Sequence, residues 1–342
     1  MVRKHPNRNI GLIEDQKERL KAQLKKEGYG LVGDSSAVKI CHWTKNSLKG
    51  CGVCFKEQLY GISSAGCAQI SVSLYNCEHN CVHCWRNVKQ YNNSIVKEEI
   101  SPIEILDGIV EKRKKLLMGF KGSVEDLEKF EKALTPSLYT FSLSGEATLY
   151  SRIGEMFKEI RKRGAVSFLV TNGMNPEVLR NLKEDEFPTQ ITLSVNAPNK
   201  LLYNKWHQTK KKNAWKVFNE AIDVLRSMEG KTRRVIRLTL VNSENGGGIF
   251  GKISNMNEEN ILEYVSLIKR MEPEFIHVKG FKSIGYARKR LYYDKQPWFD
   301  QVKEFSEKLN SLLEDYEIKD EKEESCMVAL AKKGVEMKIM KV

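Results

Sequence analysis

Six short runs rich in β-branched and aromatic residues alternate with helical patterns from residue 67 onward, and no other feature of the chain constrains its fold as strongly. Alternation of this kind is typical of βα units and of a parallel sheet. The predicted strands are 67–74, 137–143, 165–170, 190–195, 234–240 and 274–278. The alternation therefore predicts an α/β fold. Because a closed barrel of this type has eight units, six units predict that the core, over 67–316, is a partial (β/α)6 barrel. Its open side would suit a large substrate.

Two of the predicted helices carry clear signals. Ser101 and Glu104 form a capping box around Pro102, which predicts that a helix begins at Pro102. Apolar residues in this helix and in a later one recur at three- and four-residue steps, and we expect them to face the core. They are Ile103, Leu106, Val110 and Leu117 in the first helix, and Trp215, Phe218, Ile222, Leu225 and Met228 in the second.

Two further segments flank the core. Residues 1–66 are predicted to form an N-terminal extension, with one amphipathic helix at about 12–27 and an irregular stretch after it. Residues 317–342 form a tail that begins with an acidic run. After that run, 326–331 and 335–340 flank a Lys-Lys-Gly sequence, which predicts a C-terminal hairpin.

The charge balance indicates a polyanionic partner. The chain has 57 Lys and Arg against 44 Asp and Glu, a net charge of +13, and an excess of this sign favours nucleic acid. Surface ion-pair networks of proteins from hot habitats are an alternative explanation. No apolar run approaches the roughly 18 residues of a membrane span, and the first ten residues lack the apolar region of a signal peptide. We therefore expect a cytoplasmic protein with no membrane partner.

Cysteines are concentrated near the first predicted strand. Seven of the eight lie between residues 41 and 84, and in an intracellular chain such thiols indicate metal ligands or catalytic groups. Cys77, Cys81 and Cys84 have the spacing CxxxCxxC, and three thiolates on one loop can hold three irons of a 4Fe-4S cluster. A zinc site that includes His79 and His83 is one alternative. Ordinary buried thiols are another.

A second set of cysteines precedes this loop. Cys41, Cys54 and Cys67 are separated by twelve residues each time and could hold a second cluster. Cys51 forms a CxxC with Cys54 and could supply a fourth or an alternative ligand. The competing interpretation is a structural zinc held by all four of these thiols. Cys326 stands apart and is predicted to be a buried thiol.

Lys56 follows Cys54 by two residues. Most lysines are solvated surface charges. A lysine between cationic clusters and apolar residues can instead have a lowered pKa and can attack a carbonyl to form a Schiff base.

Polar residues and glycines follow several predicted strands. In barrels of this kind the site lies at the carboxyl ends of the strands, although such residues are also common in turns. The candidates are Gly145, Glu146 and Thr148 after the second strand, Asn172 after the third, Asn196 after the fourth and Asn242 after the fifth.

With these motifs in place, the chain resembles the tRNA 4-demethylwyosine synthases, the radical S-adenosylmethionine (SAM) enzymes of wybutosine biosynthesis. The resemblance runs from Cys41 to Arg290, and its most specific part is the two cysteine sets together with Trp85 and Arg86. Further matching segments are Tyr-Gly-Ile at 60–62, Ser-Gly-Glu-Ala-Thr at 144–148, Thr-Asn-Gly at 171–173 and Ser-Val-Asn-Ala-Pro-Asn at 194–199.

The resemblance implies roles for individual residues. It implies that Cys77, Cys81 and Cys84 hold a 4Fe-4S cluster that binds SAM, and that Cys41, Cys54 and Cys67 hold a second 4Fe-4S cluster facing the substrate. Lys56 would hold pyruvate as a Schiff base. The implied SAM contacts are Gly145, Glu146, Thr148, Asn172, Ser194 and Asn196.

The resemblance also implies a reaction and its partners. A radical from SAM takes hydrogen from the methyl group of N1-methylguanosine, next to the anticodon of tRNA-Phe. The carbon radical adds to pyruvate, whose carbons 2 and 3 are retained, and 4-demethylwyosine forms in a reaction of the carbon–carbon lyase class. The reductant is expected to be a separate protein, as in the archaeal form without a flavodoxin domain, and the enzyme is expected to act as a monomer.

Basic residues that could contact tRNA phosphates include Lys210, Lys211, Lys212, Arg288, Lys289 and Arg290, although a solvated face is the more common explanation for any one of them. Two other functions are compatible with the motifs. One is a radical SAM enzyme that activates or modifies a polypeptide, and the other is a zinc-stabilised RNA-binding protein without catalysis.

Overall fold

A single sheet of ten strands forms the centre of the protein in a computed structural model, which describes residues 18–90, 100–209, 211–242 and 253–339. The strands are β1 (Tyr29–Val32), β2 (Ser36–Lys39), β3 (Cys67–Ser71), β4 (Leu138–Phe141), β5 (Val166–Thr171), β6 (Gln190–Ser194), β7 (Arg233–Leu240), β8 (Phe275–Gly280), β9 (Tyr316–Lys322) and β10 (Met327–Lys332). Their order is β1-β2-β3-β4-β5-β6-β7-β8-β10-β9. Over the described residues the sheet is therefore open, with β1 and β9 at its edges.

The six central strands, β3 to β8, are parallel and pair in chain order. Each corresponds to one of the six predicted strands, with ends that differ by a few residues. This arrangement confirms the predicted α/β fold and the partial barrel.

Helices connect and cover these strands. Residues 18–26 are helical and form α1. The others are α2 (His42–Leu48), α3 (Phe55–Tyr60), α4 (Pro102–Met118), α5 (Leu127–Ala133), α6 (Ile153–Lys162), α7 (Pro176–Arg180), α8 (Lys200–His207), α9 (Ala214–Arg226), α10 (Glu258–Met271) and α11 (Phe299–Ser311). Among the described residues, none of these helices has the length and apolar character needed to cross a membrane.

The predicted capping box at the start of α4 is present. The Ser101 hydroxyl accepts a hydrogen bond from the Glu104 amide, and the Glu104 carboxylate accepts one from the Ser101 amide at 2.9 Å. The prediction for Ile103 is wrong, because this residue lies on the outer face of the first turn and is 53% exposed. The buried apolar residues of α4 are Ile105, Leu106, Ile109 and Leu117, and those of the α9 stripe are Phe218, Ile222, Leu225 and Met228.

The N-terminal segment contributes to the sheet. The sequence predicted an irregular stretch after the first helix, but β1 and β2 form an antiparallel hairpin there. β2 then pairs antiparallel with β3, so that Val38 lies opposite Ile70. Each of these strands has only four residues, which is too short for alternation to be recognised in the sequence.

The C-terminal hairpin is present, but its strands are not the predicted ones. β9 pairs with β10, and β10 pairs with β8 at the edge of the parallel strands. The acidic run lies in and just after β9, whereas 335–339 contains no strand. Charged residues are common on edge strands because they prevent further pairing, and here they obscure the β-pattern in the sequence.

Candidate active site

The cysteine loop that follows β3 is held at the carboxyl ends of the parallel strands by contacts from distant parts of the chain. The amides of Asn80 and Val82 donate to the carbonyls of His207 and Trp206, at 2.8 and 2.9 Å. Arg290 donates through Nε to the Val82 carbonyl at 3.1 Å and also donates to the Cys84 carbonyl. The position of the loop is therefore fixed by α8 and by the segment after β8.

Cys77, Cys81 and Cys84 together line a cavity of about 390 Å³ inside the partial barrel. Burial raises the pKa of the Cys77 thiol well above its ordinary value and raises that of Cys81 as well. Buried thiolates need a cation, and a metal ion that binds them removes their protons. Three thiols on one cavity wall are the donor set of an iron–sulfur cluster, so these residues fit that group.

Five of the six predicted SAM contacts line the same cavity. They are Gly145, Glu146, Asn172, Ser194 and Asn196. Thr148, the sixth, lies behind Glu146 and donates to its Oε1 from both the amide, at 3.2 Å, and the hydroxyl, at 2.9 Å. Thr148 is thus placed to orient the carboxylate and not to line the cavity.

Gly145 needs the conformational freedom of glycine. Its φ is +73°, and a Cβ at this position would lie 1.7 Å from the Ser73 carbonyl oxygen. The next amide, that of Glu146, donates to the Asn76 carbonyl at 2.8 Å. This close approach joins the turn after β4 to the cysteine loop.

The Glu146 carboxylate is buried and surrounded by donors. Besides Thr148, the Thr171 hydroxyl donates to Oε1 and the Asn172 amide donates to Oε2, both at 2.8 Å. Burial, with a smaller contribution from the nearby Glu78, raises the pKa of Glu146 to about 7. Oε2 accepts one hydrogen bond from the described part of the chain, so this atom can accept another from an ammonium group.

Asn172 and Asn196 present further polar atoms. The Asn172 amide nitrogen Nδ2 donates to Glu78 at 3.1 Å and lies 3.8 Å from the Cys77 sulfur. The Asn196 carbonyl accepts from Asn255 at 2.9 Å, but its side-chain Oδ1 is buried without a hydrogen-bond partner in the described residues. A water molecule or a donor on a ligand can satisfy a buried acceptor of this kind.

The structure adds His207 to two side chains that the zinc alternative included, His79 and Cys81. Side-chain donor atoms of His79, Cys81 and His207 all lie within 4.8 Å of one another, and His207 Nδ1 is 3.1 Å from the Cys81 sulfur. His83, which the alternative did include, accepts at Nδ1 from Trp206 at 2.7 Å. His207 lies on α8, far from the cysteine loop in sequence, so no local spacing marked it.

The second set of cysteines lines another cavity, of about 240 Å³. Cys41 and Cys54 immediately precede α2 and α3, and Cys67 begins β3. Burial raises the pKa of the Cys54 thiol, and Lys56 opposes that rise. The donor set again fits an iron–sulfur cluster. Cys51 is exposed, is absent from the described lining of this cavity, and is 3.3 Å from the Lys49 carbonyl.

Lys56 lies inside the second cavity beside two of its walls. Its Nζ donates to the Thr140 hydroxyl at 2.8 Å and is 3.5 Å from the Cys67 sulfur. Burial acts to lower the pKa of Lys56, but the nearby thiolates of Cys67, Cys54 and Cys41 raise it above its ordinary value. The lowered pKa predicted for a lysine between cationic clusters therefore stays a prediction for the cluster-loaded protein.

The two cavities share a wall. Four residues line both of them: Ser142, Val170, Arg237 and Lys279. A ligand in one cavity is therefore adjacent to a ligand in the other. Sequence reasoning missed Arg237 and Lys279, although a charge within an apolar parallel strand is itself unusual.

The basic residues named as tRNA contacts differ in accessibility. Lys211 donates to the Met174 carbonyl, and Arg290 binds the cysteine loop, so both support the local structure. Lys212 and Lys289 are exposed, whereas Arg288 is exposed but donates through Nε to the Ser283 carbonyl at 2.9 Å. Lys210 lies outside the described residues. Asn242 lies after β7 as predicted, but it is not among the residues that line either cavity.

Family models match two parts of the chain. The Radical SAM superfamily matches residues 71–249, and the family described as Wyosine base formation matches residues 270–332. The first match spans β3 to β7 and the second spans β8 to β10. Radical SAM enzymes use a 4Fe-4S cluster and SAM.

Curated relatives and solved structures agree with these matches. The SAM-dependent tRNA 4-demethylwyosine synthases of Pyrococcus horikoshii and Pyrococcus abyssi are 36% and 35% identical over 92% of this chain and 88% of each relative. A structure of TYW1 with a lysine-pyruvate adduct bound has a TM-score of 0.78 and 28% identity, covering 94% of this chain and 97% of that one. A crystal structure of archaeal TYW1 has a TM-score of 0.73 and 26% identity, covering 94% and 99%. The chain therefore belongs to the family of S-adenosyl-L-methionine-dependent tRNA 4-demethylwyosine synthases.

Proposed function

We propose that this enzyme condenses N1-methylguanosine, next to the anticodon of tRNA-Phe, with carbons 2 and 3 of pyruvate to form 4-demethylwyosine. The observation that carries the proposal is the adjacency of two thiol-lined cavities. Cys77, Cys81 and Cys84 line one, Cys41, Cys54 and Cys67 line the other, and Lys56 lies in the second. The similar TYW1 structure with a lysine-pyruvate adduct supports a lysine of this kind as the pyruvate ligand.

The first cavity is proposed to bind SAM. When bound, the 4Fe-4S cluster held by Cys77, Cys81 and Cys84 supplies the electron that cleaves SAM reductively. The Glu146 carboxylate accepts from the SAM ammonium, and the two donors from Thr148 keep Glu146 in position. Gly145, Asn172, Ser194 and Asn196 supply the remaining polar wall.

The second cavity is proposed to bind pyruvate, together with a second 4Fe-4S cluster held by the extension's Cys41 and Cys54 and by Cys67. The neutral amine of Lys56 attacks the ketone carbon of pyruvate, and loss of water gives a Schiff base. The Thr140 hydroxyl accepts a hydrogen bond from this amine at 2.8 Å and thereby directs it within the cavity. Carbons 2 and 3 are in this way held beside the cavity from which the radical arises.

A reconstitution experiment tests the proposal. Anaerobically loaded protein is given SAM, dithionite, pyruvate labelled with ¹³C at carbons 2 and 3, and tRNA-Phe that carries N1-methylguanosine. Digested nucleosides are then analysed by mass spectrometry. We expect 4-demethylwyosine with both labelled carbons, and we expect none with Lys56→Ala. Lys49→Ala, an exposed lysine of the same segment, is the matched control and should retain the activity.

Two outcomes would reject the proposal. Full product formation by Lys56→Ala would exclude the Schiff base, and protein that binds zinc but no iron would exclude radical chemistry altogether. Cleavage of SAM without any modified nucleoside would favour a polypeptide substrate. Two parts of the proposal are tested separately: an electron donor protein should replace dithionite, and light scattering of the loaded protein should give the mass of a monomer.

A further inference from the structure

Arg237 and Lys279 project from neighbouring strands into the interior of the partial barrel. In the parallel register of β7 and β8, Arg237 lies opposite His277, and Thr239 lies opposite Lys279. Arg237 and Lys279 are therefore offset by two residues on the same face of the sheet, and both line both cavities. Two cations thus meet at the wall where the cavities join.

The guanidinium of Arg237 is incompletely satisfied. Its Nη2 donates to the Ser194 hydroxyl at 2.9 Å, which is a neutral partner. Its Nε is buried and has no hydrogen-bond partner among the described residues. No ion pair of Arg237 or of Lys279 is found within the described ranges, whereas buried charges are normally paired.

Two fully buried arginines of the same protein have more hydrogen-bond or ion-pair partners among the described residues than Arg237 has. Arg234, three positions earlier on the same strand, is 0% exposed and forms an ion pair with Glu274 at 2.5 Å. Arg113 is also 0% exposed and donates to the carbonyls of Ala133 and Ala65. Arg113, like Arg237, has a buried Nε without a hydrogen-bond partner and no ion pair among the described residues, but Arg237, unlike Arg113, lines both cavities.

Electrostatics around the pair agree with a missing anion. Burial lowers the pKa of Arg237 to about 10. Burial lowers the pKa of Lys279 to about 8; the Cys54 thiol opposes this shift, and Arg237 adds to it. Two like charges held this close in a partly desolvated site repel each other, and an anion between them would relieve both costs.

We infer that Arg237 and Lys279 form a binding site for a ligand carboxylate on the shared wall. This inference rests on the proposed function, which brings two carboxylates to these cavities: that of the methionine part of SAM and that of the 2-oxo acid. The planar guanidinium fork matches a carboxylate in two hydrogen bonds. Lys279 adds a point charge beside it, and Ser194 fixes the orientation of the fork.

Binding measurements on the cluster-loaded protein test the inference without the tRNA reaction. Arg237→Gln removes the charge, and Arg237→Lys keeps it without the fork. Arg233→Gln, on the same strand but donating to carbonyls of residues 336–338, is the matched control. SAM is compared with decarboxylated SAM by equilibrium dialysis. Pyruvate is compared with hydroxyacetone, a ketone without a carboxylate, by borohydride trapping on Lys56 and mass spectrometry.

We expect Arg237→Gln to weaken the binding of one carboxylate ligand by about 10- to 100-fold, the usual loss of affinity when a hydrogen bond to a charged group is removed. The carboxylate-free partner of that ligand should bind as it does to the parent protein, and Arg237→Lys should fall between. Loss for SAM assigns the site to the methionine carboxylate, and loss for pyruvate assigns it to the 2-oxo acid. Weaker binding of both SAM and pyruvate assigns the site to both carboxylates, which then occupy it one after the other.

The inference would be overturned if Arg237→Gln preferred SAM over decarboxylated SAM, and pyruvate over hydroxyacetone, as strongly as the parent protein does. Should Arg237→Gln fail to fold, oxamate provides a second measurement on the parent protein, since this anion resembles pyruvate but forms no Schiff base. Oxamate that competes with neither pyruvate trapping nor SAM binding would also overturn it. If Arg237→Gln weakens carboxylate binding as expected but the parent protein forms no 4-demethylwyosine, the proposed function fails and the carboxylate site stands.

Discussion

Gly145 joins the turn after β4 to the cysteine loop, and replacing it by alanine should damage this junction. The substitution places a side chain at φ +73°, which costs about 1–2 kcal/mol for an L-residue. The new Cβ would also lie 1.7 Å from the Ser73 carbonyl oxygen and 2.8 Å from that of Asn76. Because both obstacles are backbone atoms, the loop must shift, at a further cost of about 1–3 kcal/mol.

Gly164→Ala separates these two contributions. Gly164 has φ +68°, and a Cβ there meets nothing within 4 Å. We expect urea unfolding of the apoprotein, followed by circular dichroism, to show a loss of about 1–2 kcal/mol for Gly164→Ala. Gly145→Ala should lose more, roughly 2–5 kcal/mol. Gly145→Ala should also take up less iron on reconstitution, since the added Cβ displaces segment 73–76, which leads into Cys77.

Equal losses of unfolding free energy in the two alanine variants would refute the reasoning. They would mean that only the backbone conformation matters and that the Ser73 carbonyl does not approach Gly145. Normal iron uptake by Gly145→Ala, despite a larger loss of unfolding free energy, would refute the predicted effect on the cysteine loop. In that case the junction would stabilise the fold without shaping the cysteine loop.

Three further perturbations test other parts of the structure. Burial and a neighbouring carboxylate raise the pKa of Glu146 from 4.5 to about 7, so the folded apoprotein keeps this proton at pH values where the unfolded chain has released it. Stability should therefore fall as pH rises from about 4.5 to 7, by at most about 3 kcal/mol, and Glu146→Gln should remove that part of the slope in urea unfolding. Arg234→Leu leaves Glu274 without its buried partner, and we expect a loss of about 3–5 kcal/mol by the same assay; a loss below 1 kcal/mol would show that the pair is not formed. Cys51→Ser should leave the iron content of reconstituted protein unchanged, because Cys51 is exposed and outside the described cavity linings, whereas Cys54→Ser should lower it.

The sequence predicts the central sheet well because its strands are local. Runs such as those of β5 and β7 are rich in β-branched residues, and each is followed by a helix. The hairpin of β1 and β2 was not predicted, because strands of four residues show too little alternation of polar and apolar residues. The charged composition of β9, an edge strand, led the sequence analysis to place the C-terminal hairpin one segment too late.

The same distinction between local and distant signals applies to the site. Cys77, Cys81 and Cys84 lie on one loop, so their spacing was informative without any structure. Arg237 and Lys279 come together only through the register of β7 and β8, which no local sequence motif reveals. Residues that meet through tertiary structure were therefore the ones missed.

Support for the cysteine loop from α8 and from the segment around Arg290 has a consequence for how the enzyme matures. The residues that hold the loop are synthesised more than a hundred positions after the loop itself. A nascent chain that has exposed only its cysteines therefore cannot yet present them in the arrangement seen here. If Cys77, Cys81 and Cys84 hold a cluster as proposed, we expect iron and sulfide to be inserted only after α8 and the segment around Arg290 have been synthesised.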